Sequence, residues 1–446
     1  MKKKLLTVIL VFILPGAYAQ ERSDSIKTEK WSTHFQLTAI KQGHPSFNAA
    51  YSGNNSLSSS AEKGALSLTT TLFLGRQLWK GAALFFNPEI AGGNGISSTK
   101  GVAGFPNGET FRIGDPSPAL YVARIYFQQI IALPNSGYEK AESGANQLGG
   151  YIPVSRITVS AGKFCIADFF DGNSYSHDPR TQFMNWALMS NGAWDYPANT
   201  RGYTSGIIVE LVKPGWALRL AGAVVPKMAN GPKMDWKIGK AHSQTMELEK
   251  NWKGDHPGAV RLLAFRNVSQ APTYGVTLGE IKTGDSTSVD VYTGNKEWKR
   301  YGGVKYGLGI NAEQELSKTM GLFFRASLND GKTATWAYTE IDKSISAGLN
   351  IKGTGWHRPD DELGIAGLLN GLSKDHRAFL SAGLYGFIIG DGKLNYGPES
   401  IAEVYYQAKL TSFLFASVDY QFIKNPGYNK DRGPAHVFGM RVHVEL

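Results

Sequence analysis

The chain has 446 residues, a formal charge of +10 at pH 7 and one cysteine, Cys165. A single cysteine excludes an intramolecular disulfide framework, and no Cys/His spacing suggests a zinc site. Lys and Arg are scattered among acids rather than clustered, which argues against a nucleic-acid partner, and no stretch after the N-terminus is long and apolar enough for a transmembrane helix.

Residues 1–19 begin with Lys2, Lys3 and Lys4, continue through an apolar run from Leu5 to Leu14 and close on Ala17-Tyr18-Ala19. This is the layout of a secretory signal peptide, with cleavage expected before Gln20. The run is too short for a membrane span and no cysteine at the cleavage point could take a lipid. Residues 20–446 are therefore expected to cross the inner membrane as one domain.

That domain carries 52 Gly, 22 Phe, 20 Tyr and 10 Trp and has a negative mean hydropathy. Such a balance suits strands with one face in water and aromatics gathered in girdles. Period-two runs occur at 33–40, 66–79, 82–90, 121–132, 155–165, 202–211 and 215–225, with a weaker one at 259–267. Trp79-Lys80-Gly81 and Val212-Lys213-Pro214-Gly215 read as short turns, while 91–120 and 166–201 read as long loops rich in Gly and Asn.

The later runs are clearer. In 303–313, Val304, Tyr306, Leu308 and Ile310 oppose Lys305, Asn311 and Glu313; in 320–329, Leu322, Phe324, Ala326 and Leu328 oppose Arg325, Ser327 and Asn329. Glu313 and Arg325 are thus expected on one inner wall. Runs 401–410 and 414–423 follow, and the chain ends with Phe438, Met440, Val442, Val444 and Leu446 on one face and Arg441, His443 and Glu445 on the other. A terminal strand of this kind needs two solvents at once, lipid and water. An arginine at Val442 is accordingly expected to impair insertion more than one at Gly439.

The fold class expected is all-β: a transmembrane antiparallel β-barrel closed by its C-terminal strand, with short turns at one rim and long loops at the other. Counting runs gives about sixteen or seventeen strands, and region 226–300 holds one too many or one too few for closure. A soluble sandwich or β-helix would not keep charges on one face of so many strands and also carry a signal peptide.

The 166–201 loop exceeds ordinary connections, and its apolar and aromatic content argues against disorder. In a barrel too wide for side chains to fill, it is expected to fold inward and constrict the pore.

Gly162 to Asp171, Ser176 to Trp186 and Asn191 to Tyr203 resemble the carbohydrate-selective porins of the OprB type, a family that also includes porins described as high-affinity manganese porins. The resemblance extends to Gln42-Gly43-His44-Pro45-Ser46-Phe47, Asn87-Pro88-Glu89, Gly101 to Glu109, Gly390-Asp391-Gly392 and Asn425-Pro426-Gly427 through Gly433. It implies a sixteen-stranded, commonly trimeric barrel of the Gram-negative outer membrane that passes small sugars by diffusion, with membrane lipid and the barrel-assembly machinery as partners. Leu446 departs from the aromatic residue that usually ends such barrels.

Sugars are held by carboxylates and guanidinium forks beside aromatic faces. The loop offers Asp168, Asp171, Arg180, Trp194, Asp195 and Arg201 for a pore constriction, and the inner strand faces offer Glu89, Arg124, Glu313 and Arg325. Trp186, in the helix-like stretch Arg180 to Met189, reads as packing. No catalytic residue, metal site or cofactor is expected. A rival reading has Asp168, Asp171, His177 and Asp178 filtering a divalent cation such as manganese. A barrel enzyme such as a lipid hydrolase is a second rival, without a Gly-x-Ser-x-Gly elbow to support it.

Overall fold

Alternation along each strand resolves into a wall with two solvents. In the computed structural model, which describes residues 28–110 and 117–446, sixteen antiparallel strands form one closed barrel. They are β1 (Trp31–His44), β2 (Glu62–Trp79), β3 (Ala82–Gly93), β4 (Ala119–Ala132), β5 (Arg156–Phe164), β6 (Thr204–Lys213), β7 (Trp216–Ala223) and β8 (His242–Trp252), then β9 (Gly258–Ser269), β10 (Gly303–Ser317), β11 (Met320–Asn329), β12 (Lys343–Gly353), β13 (Arg358–Gly371), β14 (Glu399–Lys409), β15 (Leu414–Lys424) and β16 (Ala435–Glu445). Segment 1–19, expected from its sequence to be a signal peptide, lies outside the described residues.

The last strand closes the barrel on the first. Gln36 to Gly43 run in register with Glu445 to Phe438, and Phe35 and Leu446 exchange backbone hydrogen bonds of 2.8 Å. Leu446 is therefore part of the seam. Along β16 Met440 is 65 % exposed and its neighbour Arg441 1 %, so the apolar side chains face outward and the charged ones face in. Val404 and Val418 repeat the outward placement, and Glu403 and Asp419 the inward one.

At one rim the connections are mostly tight, as at Lys80-Gly81 and Pro214-Gly215. Exposed Trp79, Trp252, Trp356 and Phe413 lie there, where amphipathic rings suit a membrane boundary. The other rim carries long loops, including L2 (described over 94–110 and 117–118), L3 (165–203), L4 (224–241), L5 (270–302) and L6 (330–342). The exception at the tight rim is 133–155, which contains a hairpin pairing Tyr138–Ala141 with Gly150–Pro153. It is rooted between β4 and β5, reaches Glu29 just before β1 and His34 within it, and touches Lys253 in the β8–β9 turn (2.8 Å, 3.0 Å and 3.4 Å). The hairpin thus lies across part of this mouth.

Region 226–300 contains two barrel strands, β8 and β9, and a short pairing of Val225–Pro226 with Met234–Asp235 outside the barrel, followed in L5 by helices at Tyr274–Lys282 and Val289–Tyr292. The count is therefore sixteen. Strands β8, β12 and β13 were not among the runs singled out in sequence. In β12 (KSISAGLNIKG) Ser, Ala and Gly blur the contrast between faces, and in β8 the outward Gln244 and Lys250 frame only Met246 and Leu248.

The apolar core sits inside the barrel. Phe164, Phe170, Phe183, Trp194 and Trp336 are buried where L3 and L6 pack within the wall. Bare wall positions admit the loop closely: a Cβ on Gly439 would lie 3.1 Å from the Met184 methyl, and one on Gly309 3.0 Å from the Asn191 amide.

Candidate functional site

L3 leaves β5 through a turn at Ile166–Asp168 and is pinned at once, because Arg124 of β4 donates twice to the Asp168 carboxylate at 2.7 Å. It then crosses to β10 and β11. Asp171 accepts from Ser190 Oγ (2.9 Å), Asn191 N (2.6 Å), Asn311 Nδ2 (2.7 Å) and Arg325 Nε (3.2 Å). Arg325 also donates to the carbonyls of Ser176 and Leu188 at 2.7 Å. A charged group held this way has exchanged water for a full set of partners, the condition under which burial is tolerated.

Beyond this knot L3 reaches the opposite wall. Glu403 of β14 accepts from Met184 N (2.6 Å) and Asn185 N (3.1 Å), and Arg441 of β16 donates to the carbonyls of Pro179 (2.8 Å) and Gln182 (2.7 Å). Asp195 receives the backbone N–H groups of Trp336, Ala337 and Tyr338 at 2.8–2.9 Å, fastening L3 to L6. L2 folds in beneath. Trp186 donates from its backbone to Phe105 and from its indole to Asn107, both at 2.9 Å. The helix here is one turn, Trp186–Met189, shorter than the stretch expected from residue 180.

What the loops leave open is a cavity of about 640 Å³ against β2–β4, lined by Glu89, Glu109, Tyr121, Arg180, Arg201 and Tyr203 together with Trp186, Tyr196 and Tyr338. Glu89 accepts from the hydroxyls of Thr71 (2.7 Å), Tyr203 (3.0 Å) and Tyr121. Arg180 donates to Glu109 at 3.0 Å, and the Arg201 guanidinium lies 4.3 Å from the Tyr121 ring centre. Burial pushes the Glu109 carboxyl upward in pKa, against the downward pull of Arg180. Acids, guanidinium groups and aromatic faces thus share one opening.

Of the ten residues expected to line the constriction, Glu89, Arg180 and Arg201 border the cavity. Asp171, Trp194, Asp195 and Arg325 do not: all four are at most 1 % exposed, Trp194 between Phe170 and Tyr196, the charged three in the contacts described. They fasten the loop instead. Arg124 with Asp168, and Glu313 with Ser174 N and Arg261 (3.1 Å), are wall anchors of the same kind. Glu313 and Arg325 do share the inner wall, since Asn311, two residues before Glu313, stands opposite Arg325. Sequence reasoning passed over Glu109, Tyr121, Tyr203 and Tyr338. Glu109 ends a quoted motif, but nothing local in sequence brings Tyr338 of L6 beside L3.

The acids of the manganese reading are dispersed. Asp168 is paired with Arg124 and Asp171 with Arg325, and among the described residues no group of three or more His, Cys, Asp or Glu side chains is placed to hold a metal ion.

A closed barrel with an apolar outer band, a polar interior and a loop folded into its lumen defines a porin of the Gram-negative outer membrane. The chain belongs to the carbohydrate-selective porin, OprB family, whose profile matches residues 59–446. Its fold is similar to the high-pH structure of Pseudomonas putida OprB, with 16% identity and a TM-score of 0.68 over 94% of each chain. The low-pH structure of that porin gives 14% identity and a TM-score of 0.47 over 94% of this chain and 93% of that one. OmpT of Vibrio cholerae gives 12% and 0.47 over 94% of this chain and 100% of that one. Comparison with curated proteins gives no match. The protein is a sugar-selective channel.

Proposed function

We propose that sugars cross this porin through the cavity between L3 and the β2–β4 wall, seated between Glu89 and Glu109 on one side and Arg180 and Arg201 on the other. The observation that carries this is the convergence of both charge signs with Tyr121 and Tyr203 at one narrow opening. A sugar ring presents hydroxyls at its edge and C–H groups on its faces. The edge exchanges water for carboxylate and guanidinium partners while a face lies against a tyrosine. Because these groups are held before the sugar arrives, little ordering remains to oppose passage. Transport is passive, without catalysis, and the working unit is a homotrimer inserted by the barrel-assembly machinery.

Neutral sugars should therefore interrupt ion current through single channels, since a seated ring displaces the water that carries ions. Arg201→Ala should weaken that block about tenfold, the loss of one hydrogen bond to a charged group. Block by micromolar Mn²⁺ with no effect of glucose up to tens of millimolar would instead favour the cation reading. Asp171→Asn does not separate the two, because Asp171 anchors the loop.

A second expectation concerns Glu89. Glu89→Gln keeps the shape but removes the charge that three hydroxyls address, so sugar block should weaken and cation preference, read as a reversal potential, should fall. An unchanged reversal potential would place Glu89 outside the ion path.

A further inference from the structure

The outer wall of β5–β10 is dented where it meets the long-loop rim. Strand register sets Ala161, Ile207, Gly222, Gln244, Arg266 and Tyr306 in one row of side chains across neighbouring strands. Ala161 and Gly222 are small, and a Cβ built on Gly222 meets nothing within 4 Å. The groove so formed has about 1520 Å³ of open space, and Ile125, Ile207, Trp236 and Ile238 line it.

Trp236 and Ile238 belong to L4, not to the wall, and they are 65 % and 60 % exposed. A loop presenting such side chains to water would be disfavoured, yet the same residues over a hydrocarbon groove are in their proper solvent. Lys237 and Lys240 are interleaved with them, each with its ammonium 5.6 Å from the ring centre of Tyr301 in L5. Tyr301 also donates to Asp235 at 2.9 Å, which steadies this segment of L4. At the groove's edge the exposed Arg266 donates to Gln244 at 3.3 Å. Outward along the wall the surface thus changes from Leu220, Met246 and Leu248 to Gln244 and Arg266, and then to an overhang carrying two lysines.

We infer that this groove is a binding site for the phosphorylated acyl-glycolipid of the outer leaflet, lipid A. An acyl chain lies in the dent over Gly222 beneath Trp236 and Ile238, and a phosphate faces Lys237, Lys240 and Arg266. Charge complementarity selects this occupant over a second copy of the chain, which is itself net positive. Cationic side chains at a membrane surface recognise anionic headgroups, and here they sit at the end of the wall where the outer leaflet places its phosphates.

The test is native mass spectrometry of the intact porin extracted from outer membranes in mild detergent. Lipid A should remain bound to the unaltered protein and to a control, Leu308→Phe, on another part of the lipid-facing wall. Gly222→Phe, which fills the dent from a position where a Cβ meets nothing within 4 Å, and Lys237→Glu with Lys240→Glu should each reduce retention about tenfold, with folding verified by heat-modifiable gel mobility. Equal retention by both variants would overturn the inference. So would phosphatidylglycerol held in place of lipid A, or unaltered protein free of lipid whose oligomer falls apart in Gly222→Phe, which would make the groove a seat for a second copy.

Discussion

Excision of residues 172–192, with the ends joined by a short Gly-Ser linker, raises single-channel conductance severalfold and erases discrimination among sugars. The segment carries the crossing of the lumen: it contains Phe183 and Trp186, the Met184 and Asn185 amides that seat on Glu403, and the carbonyls that Arg441 and Arg325 hold. With it goes Arg180, the partner of Glu109. The barrel is expected to survive because the wall groups left behind, Glu403, Arg325 and Arg441, face the lumen and regain hydration when the loop is gone. Planar-bilayer conductance and liposome swelling read the effect. A correctly folded deletion protein with unaltered conductance would remove L3 from its role as the constriction.

Val442→Arg is expected to cost about 2–4 kcal/mol of barrel stability if its strand position lies near the bilayer midplane, with a cost of about 0–1 kcal/mol for an arginine at the rim. Val442 stands in register with Ala39 and Ala416, and its side chain faces outward at 45 % exposure. Thr411→Arg, in the exposed β14–β15 turn, is the rim comparison. Folding yields into vesicles across a urea series should separate the two, and equal losses would contradict the assigned facing. Gly439→Arg, mild by strand alternation alone, is unsuited as a control: Gly439 lies under Met184 and beside Asp419, so an arginine there would lever the loop off the wall.

Legibility followed contrast. In β14, β15 and β16 every step changes solvent, and the alternation of Val404 with Glu403 or Val418 with Asp419 was readable one residue at a time. In β12 and β13 most inward positions are Ser, Gly, Ala, Leu or Asn rather than charges, and the period weakens below notice although the backbone pairing is equally regular. The inward loop could be anticipated from length and aromatic content. The role of each of its charges could not, because composition does not distinguish a carboxylate that faces water from one that receives backbone N–H groups. Asp171 and Asp195 were as plausible in the pore as Glu89 until the partners were seen. Glu89 differs because its partners are hydroxyls on β2, β4 and the end of L3, segments that meet only when the loop has folded against the wall.

The hairpin at 137–154 makes the two entrances of the channel unlike. On the path proposed above, a molecule arriving from the loop side meets the narrow cavity first, whereas one arriving from the other side passes beside the hairpin, where Phe85, Gln128, Tyr138 and Tyr151 border an antechamber of about 2360 Å³. For a passive pore, detailed balance forbids this asymmetry from driving net flux. It governs time instead: the interval a solute spends reaching the narrow point, and the frequency with which it turns back, differ between the two directions of travel while the equilibrium distribution stays the same.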